Sequence, residues 1–179
     1  CTEKSNNLIC SMRNILFIGL SFLLMQCGAY NFTGSNVGAA TTYQVSFFEN
    51  RASQSPGSII EPGIDRDFTN ALQDLIQNQT SLTLTSENAD LKYEGEIIEY
   101  RVSPMTATAN QTAAQNRLII TVNVRFANST KEDSDFERRF TFFYDYPAEA
   151  MLDAVKTAAQ DEIFERITQD IFNASLADW

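Results

Sequence analysis

The sequence predicts an α+β fold: a two-layer sandwich in which a roughly four-stranded mixed sheet carries two helices on one face, in the order β-α-β-β-β-α. Three observations lead there. Between residues 91 and 144, three stretches alternate apolar with polar residues, the mark of strands with one buried face. Two further segments, near 65–78 and 148–176, repeat apolar residues every three or four positions, as amphipathic helices do. Two such stripes are buried most simply against a single sheet face.

Each element rests on its own pattern. Tyr43, Val45 and Phe47 alternate with Gln44 and Ser46, giving a first short strand. Arg51–Gly63 reads as a loop punctuated by Pro56-Gly57 and Pro62-Gly63. Its Ile59-Ile60 pair is either an apolar tip that touches a partner or part of an ordinary surface loop. Asp65 and Asp67 open a helix through Phe68, Leu72, Leu75 and Ile76, since acidic residues suit the positive end of the helix dipole. Polar Asn78–Ser81 ends it, and Leu82–Leu84 is a short extended piece.

A strand then runs from Leu91 to about Val102, with Leu91, Tyr93, Gly95 and Ile97 on one face. Leu118 to Phe126 carries the cleanest alternation in the chain. In the third stretch Phe136, Phe140, Phe142 and Tyr144 oppose Glu137, Arg139 and Thr141. The polar turn Asn128–Asp135 joins the last two strands into an antiparallel hairpin. Adjacent Arg138 and Arg139 point to opposite faces of such a strand, so they form no joint anion site. From about Ala148 to Leu176, Leu152, Val155, Ala159, Ile163, Ile167 and Ile171 make a long amphipathic helix with Pro147 just ahead of it. Phe164 and Phe172 widen its stripe, and a core seam is the expected use.

The N-terminal region is read apart from the fold. Arg13, the apolar run Ile15–Met25 and the small residues after Cys27 form a secretory signal pattern. The run spans only about 16 Å as a helix against roughly 30 Å of bilayer hydrocarbon. Leu24-Met25-Gln26-Cys27 resembles a bacterial lipobox, in which the Cys becomes the acylated first residue; Gln26 departs from the usual small residue there. The expected division is thus 1–11 an over-extended start and 12–26 a lipoprotein signal peptide. Residues 27–41 then form a lipidated, glycine-rich tether, and 42–179 the folded domain.

Without residues 1–26, which carry Lys4, Arg13 and Glu3, the 13 basic and 23 acidic residues become 11 and 22, a formal charge of −11 over 153 residues. That length suits one domain. The acidic balance argues against nucleic acid, whose phosphates need clustered Lys and Arg. Cys27 is the one cysteine left and there is no histidine, so common zinc sites and Ser-His or Cys-His catalysis cannot be built. No cofactor is implied, and an enzyme is the weakest reading.

Several short words, taken in order, resemble the LptE family of lipopolysaccharide-assembly lipoproteins. They are Cys27-Gly28-Ala29-Tyr30-Asn31-Phe32-Thr33-Gly34, Phe48-Glu49-Asn50-Arg51-Ala52, Phe68-Thr69-Asn70-Ala71-Leu72, Glu99-Tyr100-Arg101-Val102-Ser103-Pro104, Ala113-Ala114-Gln115-Asn116-Arg117-Leu118 and Asp170-Ile171-Phe172-Asn173. The resemblance implies an acylated Cys27, a small α/β sandwich, no enzymatic activity, and a periplasm-facing place on the outer membrane. It also implies a role as plug and assembly factor of an LptD-type β-barrel that inserts lipopolysaccharide into the outer leaflet.

Independently of that family, Arg101 and Arg117 flank a small-residue loop, Ser103–Gln115. Guanidinium forks suit phosphates and carboxylates. Arg101, Arg117 and Arg125 are therefore candidates for contact with lipopolysaccharide phosphates or barrel carboxylates; the competing expectation pairs them with Glu94, Glu96 and Glu99 on a solvated face. A strongly anionic domain repels anionic lipopolysaccharide except through a local basic patch, whereas plugging a polar lumen has no such requirement. A stand-alone periplasmic ligand-binding lipoprotein is the competing function.

Overall fold

The sheet has six strands rather than four. In the computed structural model, which describes residues 37–105 and 114–177, these are β1 (Thr42–Val45), β2 (Glu49–Asn50), β3 (Thr83–Leu84), β4 (Leu91–Met105), β5 (Gln115–Asn128) and β6 (Phe136–Pro147). The signal segment, the lipobox with Cys27, the tether up to residue 36 and the middle of the 103–115 loop lie outside the described residues. Two of the strands, β2 and β3, have two residues each, too few for a period to show in sequence. Their neighbours run in the order β3-β1-β4-β5-β6, with β2 also on β4. The β1, β2 and β3 pairings are parallel, whereas β4, β5 and β6 form an antiparallel meander.

The long hairpin β4–β5 reaches further than its alternation indicates. Ser103, Pro104 and Met105 pair with Arg117, Asn116 and Gln115, so the expected loop shrinks to its middle residues. On the other edge of β4, β1 covers Leu91–Tyr93, β2 covers Glu96–Ile97, and the Ile59 amide donates to the Tyr100 carbonyl at 2.9 Å. The 51–63 loop is therefore an edge cover, with a short 3-10 turn at Ala52–Gln54 and Ile60 left 68% exposed.

A register shift between Ile97 and Glu99 decides which side chains β4 shows to each layer. Before it the odd residues Leu91, Tyr93 and Ile97 are buried; after it Tyr100 is buried and Glu99 is not. One extra residue in a strand reverses its facing. Strict alternation would have driven Glu99 and Arg101 into the core.

Both helices, α1 (Ile64–Gln79) and α2 (Leu152–Leu176), lie on the face that β5 lines with Leu118, Ile120, Val122 and Val124, all fully buried. α1 begins on Gly63 at φ 84°, a left-handed conformation that suits glycine, and has Asp65 and Asp67 in its first turn. Phe48, Phe68 and Phe164 join the β1–β2 connection to α1 and α2 through edge-to-face contacts at 5.1 and 5.4 Å. Tyrosine hydroxyls tie the layers further. Tyr43 donates to the Gln73 carbonyl at 3.2 Å, Tyr93 meets Ser175 Oγ at 2.9 Å, and Tyr100 accepts from Gln160 at 3.3 Å. Burial raises the pKa of all three, Tyr100 to about 12.

Two boundaries move. Pro147 closes β6 instead of standing just ahead of a helix, because the Ala148 amide still donates to the Ala114 carbonyl; a turn at 148–151 intervenes and α2 starts at Leu152. Val37–Thr41, the end of the expected tether, is folded: Ala40 is buried and the Thr41 amide donates to Asp90 at 2.8 Å.

Candidate functional site

The face of the sheet turned away from the helices gathers the three candidate arginines. The bulge and the register place Lys92, Glu94, Glu96, Glu99 and Arg101 of β4, Arg117 and Arg125 of β5, and Glu137, Arg139 and Asp145 of β6 on it. On these three strands five carboxylates meet five cations, and Glu49 and Arg51 beside Glu96 add one of each, so the face is neutral. The two helices carry eight carboxylates against Arg66, Lys156 and Arg166, so the opposite layer has a charge of −5.

Two of the candidates are paired as the solvated-face expectation has it. Arg101 Nε donates to Glu99 Oε1 at 2.8 Å, and Arg125 stands 3.8 Å from Glu96, which also receives Arg51 at 3.2 Å. Arg117 does something different. Its Nε and Nη2 donate to both oxygens of Asp145 at 2.7 and 2.8 Å, and its guanidinium carbon lies 3.6 Å from the centre of the Phe143 ring. The fork from Arg117 is the largest cause of a lowered Asp145 pKa, so that carboxylate stays ionised. Stacking and a two-point ion pair hold this guanidinium in one orientation with one π-face against Phe143.

Beneath the charges runs a row of polar side chains. Thr121 Oγ1 donates to Glu99 at 2.8 Å and meets Thr141 Oγ1 at 3.0 Å, while Asn123 Nδ2 donates to Glu137 at 2.8 Å. Thr121 and Asn123 are only 6% and 9% exposed, which makes this a packed polar surface instead of a loosely hydrated one. Sequence reasoning missed Asp145, Phe143, Thr121 and Asn123. The alternation of Glu137, Arg139 and Thr141, continued two steps, would have found Phe143 and Asp145.

Arg138 and Arg139 lie on opposite faces, as their adjacency requires; Arg138 sits 5.5 Å from the Phe136 ring. Two recesses of about 600 and 570 Å³ open at the 128–135 turn and between the helices. Both are open, and neither has the enclosed apolar lining usual for small-molecule sites. Among the described residues no helix is long and apolar enough to cross a membrane.

The family profile described as "LptE: Lipopolysaccharide-assembly" matches residues 40–175, nearly the whole described domain. The chain belongs to the LptE family. No curated protein matches this LptE-family sequence. Solved structures similar to it include a minor lipoprotein from Acinetobacter baumannii at 14% identity and TM-score 0.45, covering 76% of this chain and 92% of that one. A hypothetical protein from Chlamydia trachomatis follows at 10% identity and TM-score 0.51, covering 78% and 100%. The rare lipoprotein B from Shewanella oneidensis is 13% identical with TM-score 0.42, covering 73% and 89%. At such identity the Chlamydia likeness speaks for the LptE-like fold alone.

Proposed function

We propose that this chain is an outer-membrane lipoprotein, acylated at Cys27 and facing the periplasm. In this reading it assembles with an LptD-type β-barrel, plugs its lumen, and serves the transport and insertion of lipopolysaccharide without catalysing a reaction. One observation carries the reading: a chain of the lipopolysaccharide-assembly family presents an outer sheet face whose charges cancel over a packed polar floor. Such a face suits the polar interior of a large barrel, where shape and hydrogen bonds decide the fit. The helix layer, at −5, suits neither lipopolysaccharide phosphates nor an acidic lumen. Acylation supplies the anchor, because two or more acyl chains at about 0.8 kcal/mol per buried CH₂ hold a protein stably where one is marginal.

On this reading Arg101, Arg117 and Arg125 are contact residues for barrel carboxylates or lipopolysaccharide phosphates, Arg117 being the best prepared because its guanidinium is already oriented. The test is recovery of the tagged chain from detergent-solubilised outer membranes. A stoichiometric large β-barrel is expected with it, and reversing Arg101 and Arg117 to Glu is expected to cut that barrel at least tenfold. Recovery without any barrel favours the stand-alone ligand-binding lipoprotein instead.

A further inference from the structure

The two sides of the sheet are treated differently. β4 has its free edge covered from Leu91 to Tyr100 by β1, β2 and the 51–63 loop. β6 is a twelve-residue strand at the opposite margin, and among the described residues it pairs only with β5. Long open edges are templates for another strand, and proteins ordinarily blunt them. Here the middle of the edge, Phe140–Tyr144, carries no charge and no proline, and Thr141 and Phe143 are exposed.

The charges at its two ends are self-complementary. A twofold axis through Phe142 in an antiparallel pairing sets Arg139 of one copy opposite Asp145 of the other, and Asp145 opposite Arg139, on the outer face. Arg139 has no carboxylate partner among the described residues. Asp145 binds Arg117 through both oxygens, and a carboxylate has about four lone-pair positions, so it can take a second guanidinium. Shifting the register by one residue in each copy, so that the axis passes through Thr141, sets Glu137 against Asp145 and makes the pairing repulsive.

We infer that β6 is a self-association edge: outside its assembly with other proteins the chain forms a twofold dimer by antiparallel β6–β6 pairing centred on Phe142, joining two six-stranded sheets into one. Main-chain hydrogen bonds over about 35 Å supply the affinity and the Arg139–Asp145 pairs set the register. This inference stands apart from the barrel reading, since a closed barrel wall offers no free edge to β6.

Sedimentation of the full chain, purified free of other proteins in excess detergent, tests it. A concentration-dependent dimer is expected. Arg139→Glu, an exposed change that leaves the circular dichroism spectrum unaltered, should weaken association about tenfold or more by placing like charges opposite one another. Arg139→Lys should keep it within about threefold. A monomer at every concentration overturns the inference, as does a dimer that Arg139→Glu leaves equally tight.

Discussion

Single residues fix the geometry of this fold at points where no substitute fits. Gly95 is one: a Cβ there would lie 2.2 Å from the Asn123 carbonyl oxygen and 2.5 Å from the Phe48 ring. Backbone cannot retreat as a flexible side chain can, so Gly95→Ala is expected to cost about 3 kcal/mol, at the upper end for overpacking. Chemical denaturation measures it, and a loss below about 1 kcal/mol would show that β4 shifts freely. Asp90 is another. Its Oδ2 accepts from the amides of Thr41 and Thr42 at 2.8 and 3.1 Å and from both hydroxyls at 3.0 Å, clasping the start of β1. These bonds, that from the Thr41 amide foremost, lower its pKa. A carboxylate with a lowered folded pKa contributes its stability above the ordinary Asp value of about 3.9, and that contribution is lost as pH falls through the folded value. Amide exchange at Thr41 and Thr42 should therefore accelerate selectively in that acid window, and Asp90→Ala should make it fast already at pH 7. The facing of Arg117 and Arg125 was legible because Arg in an alternating strand has a defined face, whereas Arg101 reaches that face only through the bulge. Asp145 was not legible, because its partner Arg117 lies 28 residues away and only the register brings them together.

At the scale of elements, sequence periodicity revealed whatever buries one face of a regular repeat. Both helices and the β5 strand come through in this way, since burial of one stripe imposes the spacing. The two-residue strands β2 and β3 leave no repeat, and the start of α2 is displaced because β6 runs on to Pro147, held by a backbone bond from Ala148 to Ala114. The β4 bulge is the most consequential hidden feature, since it sorts Tyr100 inward and Glu99 and Arg101 outward. Deleting Ile98 removes the extra residue and runs Ile97 directly into Glu99, so that strict alternation then keeps Glu99 and Arg101 outward and Tyr100 inward. The deletion is therefore expected to keep cooperative thermal unfolding, and Ile98→Ala, which keeps the bulge, should lower the melting temperature by no more than about 10 °C. A deletion variant that no longer melts cooperatively would mean that the bulge does more than set the facing of β4.

For the molecule as a whole, the distribution of charge matters more than its sum. The sequence total of −11 after the signal is spread unevenly: −5 on the helices and zero on the outer sheet face. The two-layer arrangement was legible, but this partition was not, because it depends on the bulge and on the β5–β6 register. If the neutral face is the one that enters a polar lumen, equal numbers of charge reversals should act unequally on the two layers. Arg101→Glu with Arg125→Glu disturbs exposed ion pairs worth about 1 kcal/mol or less each, so the domain stays folded. It nevertheless turns the face from neutral to −4, and recovery of a large barrel with the tagged chain should fall at least tenfold. Asp161→Lys with Glu162→Lys makes a change of the same size on exposed positions of α2 and should leave that recovery within about twofold. Barrel recovery that falls with the helix pair and survives the sheet pair would assign the lumen to the helices, and with it withdraw the contact role of the three arginines.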